Sequence, residues 1–283
     1  MRLRMIAAVV LLSLAGCDGT QPGGGPTASA AASPSAKALP AAGGCHAGQS
    51  LRPDDYRPAT LNAVDCAAEH QAEIVRVGQL TTPPENKTRE VYTDCDTAAR
   101  EYVGGDWHEG RLGLAVIVPS TEEWIAGVHE YRCALLEFSA DGFTSRLRTG
   151  SLKDGLRGPR PLALTCVDVL AIPDGQGWYQ SIDRLVPIDC AQPHNGEYVG
   201  LYASPDVPHP GMTKLTREAT QACNAKAATF LGQSPSKFAN RTDIIVIPTG
   251  GNPERWALGD HTVRCYIVTR PDNRVTQSLK AGS

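Results

Sequence analysis

The sequence predicts an α+β fold of two tandem, disulfide-stapled modules, each a mainly antiparallel sheet packed with a helix. Three observations lead there. Setting aside Cys17, the other eight of the nine cysteines fall into two sets of four: Cys45, Cys66, Cys95, Cys133 and Cys166, Cys190, Cys223, Cys265. The residues around the two sets recur in the same order, which marks an internal repeat. Helical periodicity and short apolar runs mix without the βαβ rhythm of a parallel sheet.

At the N-terminus, Arg2 and Arg4 precede residues 5–14, which are apolar or small apart from Ser13. Crossing a hydrocarbon core takes about 20 apolar residues, so residues 1–16 read as a signal peptide rather than a membrane span. The stretch closes with Leu14-Ala15-Gly16-Cys17, which resembles the lipobox of bacterial lipoproteins. The resemblance implies a diacylglycerol on the Cys17 sulfur and cleavage before that residue. Residues 17–44 are mostly Gly, Ala, Ser, Thr and Pro. They offer little to bury against the entropy of ordering and read as a tether reaching roughly 30 Å. The expected location is the extracytoplasmic face of the cell membrane, with the membrane as one partner.

The net charge of −3 comes from 27 basic and 30 acidic residues. No basic cluster stands out, so nucleic acid is not an expected partner. In an exported chain, eight cysteines read as four disulfides. None stands in a Cys-x-x-Cys pair, so zinc and redox chemistry have little support.

The first module (45–155) and the second (166–283) share their landmarks. A histidine, His70 or His194, follows the second cysteine by four positions, with Glu73 or Glu197 three further on. Strands are expected from there, at 72–80 and 197–202. Cys95, Ala99 and Tyr102 share one helical face, as do Cys223, Ala227 and Phe230. Gly104 and Gly232 stand where each helix should end. Apolar runs at 112–118 and 244–247 read as buried strands stopped by Pro119 and Pro248. Trp124 and Trp256 fall in short turns, and 129–138 and 261–269 form a last strand with the fourth cysteine. Both copies end in Ser-Leu-Lys-x-Gly, at 151–155 and 278–282.

Four cysteines per module allow three pairings. We favour Cys45–Cys66 with Cys95–Cys133, and Cys166–Cys190 with Cys223–Cys265. The second bond of each copy would staple the helix to an apolar strand, and the first would tie down the N-terminal segment. The chain-entropy argument gives each bond roughly 3–4 kcal/mol.

For chemistry, the sharpest candidate is the repeated pair His70/Glu73 and His194/Glu197, which could share a proton or hold a metal. Residues three apart do not share a face in extended chain, and no third ligand or nucleophile stands at fixed spacing. The reading preferred is a histidine bonded to the backbone beside a disulfide, with a surface glutamate. A cysteine nucleophile would need free thiols, and no Gly-x-Ser-x-Gly elbow or phosphate loop occurs. No enzyme activity and no cofactor are therefore expected. The two tryptophans read as core caps rather than binding aromatics.

Val64-Asp65-Cys66-Ala67-Ala68 with His70, Glu73, Ile74 and Val75 resembles the start of the septum-formation domain of actinobacterial lipoproteins and membrane proteins. Residues 188–199, with Pro193-His194, resemble it more closely, and Tyr131-Arg132-Cys133 and Val263-Arg264-Cys265-Tyr266 continue the likeness. The first copy departs at Glu69, where the second has Pro193. The resemblance covers 45–282 and implies a role near the division septum. It brings no catalytic residue. The function expected is a lipid-anchored cell-envelope protein with two binding modules for an envelope protein or cell-wall partner. Two alternatives stand beside it. One is a secreted hydrolase or metal enzyme using the His-x-x-Glu pairs, which predicts that those side chains line a pocket. The other is a small-molecule sensor, which predicts an apolar pocket between the copies.

Overall fold

Alternation of side chains along the strands builds a sheet with two distinct faces in each half of the chain. The computed structural model describes residues 42–138 and 144–282, all within one compact unit. Cys17, the signal-peptide stretch and all but the last residues of the tether lie outside the described residues. Among the described residues, no helix is long and apolar enough to cross a membrane.

The first half contains β1 (Gly44–Gly48), β2 (Tyr56–Arg57), β3 (Leu61–Val64), β4 (Ala72–Gln79), α1 (Arg89–Val103), β5 (Leu112–Ile117), α2 (Thr121–Ile125) and β6 (Glu130–Glu137), with a 3-10 turn at Trp107–Glu109. The strands pair in the order β2-β5-β6-β4-β1-β3, antiparallel except for the short β2–β5 contact. Thr88 caps α1 by accepting from Val91 N–H, and Gly104 ends it at φ 74°, the left-handed conformation that glycine adopts at least cost.

The second half contains β7 (Cys166–Pro173), β8 (Tyr179–Ile188), β9 (Gly196–Ala203), α3 (Met212–Phe230), α4 (Pro235–Ala239), β10 (Ile244–Gly250), α5 (Pro253–Ala257) and β11 (Thr262–Thr269). Its order is β10-β11-β9-β7-β8. That matches β5-β6-β4-β1-β3 strand for strand. The register slip also recurs: the β4–β6 ladder skips Val75 between Ile74 and Arg76, and the β9–β11 ladder skips Val199 between Tyr198 and Gly200. The fold is the α+β arrangement expected, with an antiparallel-rich sheet and a main helix in each half.

Two sequence expectations need adjusting. Pro248 does not stop its strand. It pairs with Cys265 inside β10, an edge strand where a missing N–H is tolerated. Leu231 caps α3, and Gly232, at φ 62°, follows it.

In the first half, Leu114, Val116, Cys133 and Leu135 pack with Cys95 and Ala99 of α1, while Ala115, Ile117, Ala134 and Leu136 face the opposite way and lie under Leu51 and Leu61. In the second half, Cys223, Ala227, Cys265 and Ile267 are buried on the α3 side. Tyr266 and Val268 lie on the other face among half-buried Tyr179, Ile182 and Leu185. Disulfides join Cys45–Cys66, Cys95–Cys133, Cys166–Cys190 and Cys223–Cys265, with Cα separations of 5.2–5.3 Å. The second and fourth of these tie α1 to β6 and α3 to β11.

The halves touch through polar side chains, and of these only Arg264 belongs to a block that recurs in both. Arg264 of β11 donates to the carbonyls of His108 (2.7 Å) and Leu112 (3.2 Å). Arg255 of α5 reaches Tyr92 Oη (2.6 Å), Asp260 (2.5 Å) and Asp54, and lies 5.3 Å over the Trp107 ring. Arg89 forms a two-pronged pair with Asp206 at 2.6 and 2.9 Å.

Candidate functional site

The His-x-x-Glu pairs do come together. Gln71 and Asn195 form bends just before β4 and β9, so the chain between His and Glu is not extended. His70 Nε2 lies 3.4 Å from Glu73 Oε1, and His194 Nε2 lies 3.6 Å from Glu197 Oε1. Each ring holds the backbone through Nδ1, His70 at Ala68 O (2.9 Å) and His194 at Gln192 O (2.8 Å). The expected surface glutamate is a correction: Glu73 is 0% exposed and Glu197 2%.

Burial of a carboxylate is costly unless donors surround it, and the closing motif of each half supplies them. Glu73 accepts from Leu152 N–H (2.6 Å), Ser151 Oγ (2.8 Å) and Tyr102 Oη (2.7 Å). Glu197 accepts from Leu279 N–H (2.6 Å) and Ser278 Oγ (2.7 Å). The repeated Ser-Leu-Lys therefore exists to dock on the repeated glutamate. Ser151 and Ser278 also accept from the N–H of Lys153 and Lys280, both at 3.1 Å, which shapes the turn. Burial, together with the Glu73 carboxylate, pushes the Tyr102 phenol up to about 12 against a smaller opposing effect of Ser151.

Two cysteine–histidine–glutamate clusters, Cys45/His70/Glu73 and Cys166/His194/Glu197, bring their ligand-type atoms within 4.8 Å. Both sulfurs are engaged in disulfides, so neither is the thiolate that a zinc site requires. Both glutamates already hold the closing segment of their module. The arrangement acts as a clamp of disulfide, imidazole and carboxylate.

Residues not singled out from sequence complete it. Gln71 donates from its amide to Gly48 O (2.7 Å) and Gln49 O (2.9 Å). Asn195 accepts from Val169 N–H (2.8 Å) and donates to Tyr179 Oη (3.0 Å). Both directly follow the repeated histidine, which is the signal that would have found them. The tryptophans contact histidines five residues on: Trp124 meets His129 at 4.0 Å and Trp256 stacks on His261 at 4.5 Å. Trp256 is buried, with Nε1 donating to Val207 O at 2.7 Å.

Between the halves lie two adjoining hollows of about 500 and 520 Å³. The first is lined by Arg111, Arg146, Arg160, Thr165 and residues 187–190. The second is lined by Glu109, Glu197, Tyr198, Phe230, Ser278 and Lys280. A pocket between the copies was expected to be apolar; the second hollow has that character through Ala163, Leu164, Tyr198, Val199 and Phe230, whereas the first is walled by arginines. His70 and Glu73 border neither hollow.

Beside this cleft, Asp106 and Asp260 flank His108, whose Nδ1 is 2.7 Å from Asp106 and Nε2 3.2 Å from Asp260. Burial alone would raise both carboxyls. His108 and Arg100 outweigh it and hold Asp106 down at about 2, and His108 and Arg255 hold Asp260 well below the usual range. Burial pushes the His46 imidazole down, with the backbone bond to Gly44 opposing, and its Nε2 has no partner among the described residues.

A single family model described as septum formation matches residues 42–265. No curated protein and no solved structure matches the chain.

Proposed function

The chain belongs to the septum-formation family, and on that premise we propose that it is a lipid-anchored binding protein of the cell envelope, held at the outer face of the cytoplasmic membrane and acting at the division septum. The observation that carries this is the use to which the repeated polar residues are put. His70/Glu73 and His194/Glu197 fasten each module's own closing segment, and what remains available is surface and cleft. That supports binding over catalysis. Disulfides suit an oxidising compartment, and Leu14-Ala15-Gly16-Cys17 supplies the anchor by its likeness to a lipobox. The partner is an envelope protein or cell-wall material. Two modules on one chain raise the effective concentration of the second contact once the first has formed.

The test is capture of the full-length protein from crosslinked, dividing cells. The expected result is enrichment of division-site envelope proteins or wall fragments over a Cys17→Ala control. Recovery of neither would overturn the reading. The small-molecule alternative has one observation in its favour, the cleft between the halves.

A further inference from the structure

Four charged residues of the first module have no equivalent in the second. Glu137 faces Leu112 across the β5–β6 ladder, and Thr269 faces Ile244 across β10–β11. The bridges His70–Arg148 and His194–Val275 place Val275 opposite Arg148 in the comparison. By the same register, Asp243 stands for Arg111 and Asn273 for Arg146. The second module reaches the same strand order without these charges, so the fold does not require them.

The cluster is positively unbalanced. Buried Glu137 is met by Arg111 at 3.3 Å, Arg146 at 3.5 Å and Arg148 at 3.7 Å. Arg148 also lies 3.9 Å from Glu73, yet its Nε and Nη1 are buried without a hydrogen-bond partner among the described residues, which is a costly state for donors. Arg111 and Arg146 line the 500 Å³ hollow together with Arg160, and among the described residues Asp189 is the one carboxylate of that lining. Arg111 is fixed by the carbonyls of Ala163 (2.9 Å) and Pro161 (3.0 Å), and Arg160 by Glu109. A guanidinium has five N–H donors, so these contacts orient the groups and leave donors over. The Arg146 side chain is 60% exposed and reaches Glu137 at 3.5 Å.

We propose that the cleft between the modules, lined by Arg111, Arg146 and Arg160, binds a small soluble anion through a phosphate or carboxylate group. Planar forks of this kind engage both oxyanions in two-pronged fashion. The second module's wall at Thr165 and 187–190 closes the hollow from the other side, so a bound anion would touch both halves. The site does not depend on septal location, and its test is independent of it.

The experiment is calorimetric titration of the purified full-length protein with inorganic phosphate and with citrate, alongside vesicles of phosphatidylglycerol. Arg146→Ala and Arg160→Ala remove exposed side chains, and Arg274→Ala, on the second module, is the control. The expected result is saturable binding of phosphate or citrate that weakens at least about tenfold in each cleft variant and not in the control, with unchanged far-UV spectra. No binding of either anion up to about 10 mM overturns the proposal. So does binding to vesicles alone, or binding that all three variants leave intact.

Discussion

The two modules share one strand order, one ladder slip and one clamp, yet they treat their charged residues differently. In the first, the glutamate clamp has three hydrogen-bond donors, because Tyr102 adds a hydroxyl to Ser151 and Leu152. In the second, Phe230 stands at the equivalent helix position, and among the described residues Glu197 accepts from Ser278 and Leu279 alone. The first module covers its second sheet face with Leu51 and Leu61 and buries His46, Glu137 and most of Arg148 nearby. The second leaves Tyr179, Ile182 and Leu185 half-buried and has Val167, Thr269 and Val275 at those positions. What the halves share is what the fold needs, and what differs was free to serve recognition.

The largest effect should show this equality at the staples. Cys95–Cys133 and Cys223–Cys265 close loops of 38 and 42 residues, for which chain entropy gives about 4 kcal/mol each. Replacing either pair with alanine should lower stability by similar amounts in denaturant titration. A marked inequality would break the symmetry. Next, Glu73→Ala should cost about 3 kcal/mol, since it strands three donors and leaves Arg148 with one carboxylate fewer. Glu197→Ala should cost about 2 kcal/mol. Equal losses would contradict the difference in donors.

The contact between the halves comes third. Arg255→Ala leaves Asp260 under-paired and should cost about 2 kcal/mol, splitting a single calorimetric transition into two. Acid acts on the same joint. Asp106 is held at about 2 and Asp260 is also depressed, whereas an unfolded aspartate titrates near about 3.9. Groups depressed in the folded state stabilise it above the unfolded value, and that contribution is lost as pH falls from about 4 toward 2. Urea midpoints should therefore drop over that window, and less so in Asp260→Asn. The smallest effect is the direct conversion of one clamp into the other: Tyr102→Phe should cost about 1 kcal/mol, and Glu197 should be unaffected by it.

Much of this architecture was legible because local chemistry writes it. Gly104 announced the end of α1, the apolar run at 112–118 announced a buried strand, realised as Leu112–Ile117, and helical spacing put Cys95 and Cys223 on inward faces. Pro248 misled because edge position, which decides whether a proline is tolerated, is a property of the whole sheet. The clamp was half visible. His-x-x-Glu and Ser-Leu-Lys both repeat, but Ser151 lies 78 residues from Glu73 and Ser278 lies 81 from Glu197. Nothing local says that one motif caps the other. A one-residue bend at Gln71 then reversed the expectation that His70 and Glu73 would diverge. The joint built from Arg255, Asp260 and His108 was invisible, since the residues belong to different halves and to no repeated block.

Septal anchoring is tested most directly by the position of a fluorescently tagged full-length protein in dividing cells, beside Cys17→Ala. The expected result is membrane-bound signal concentrated at the septum, with release from the membrane when Cys17 is replaced. Signal spread evenly around the envelope through division, or unchanged by the substitution, would contradict it.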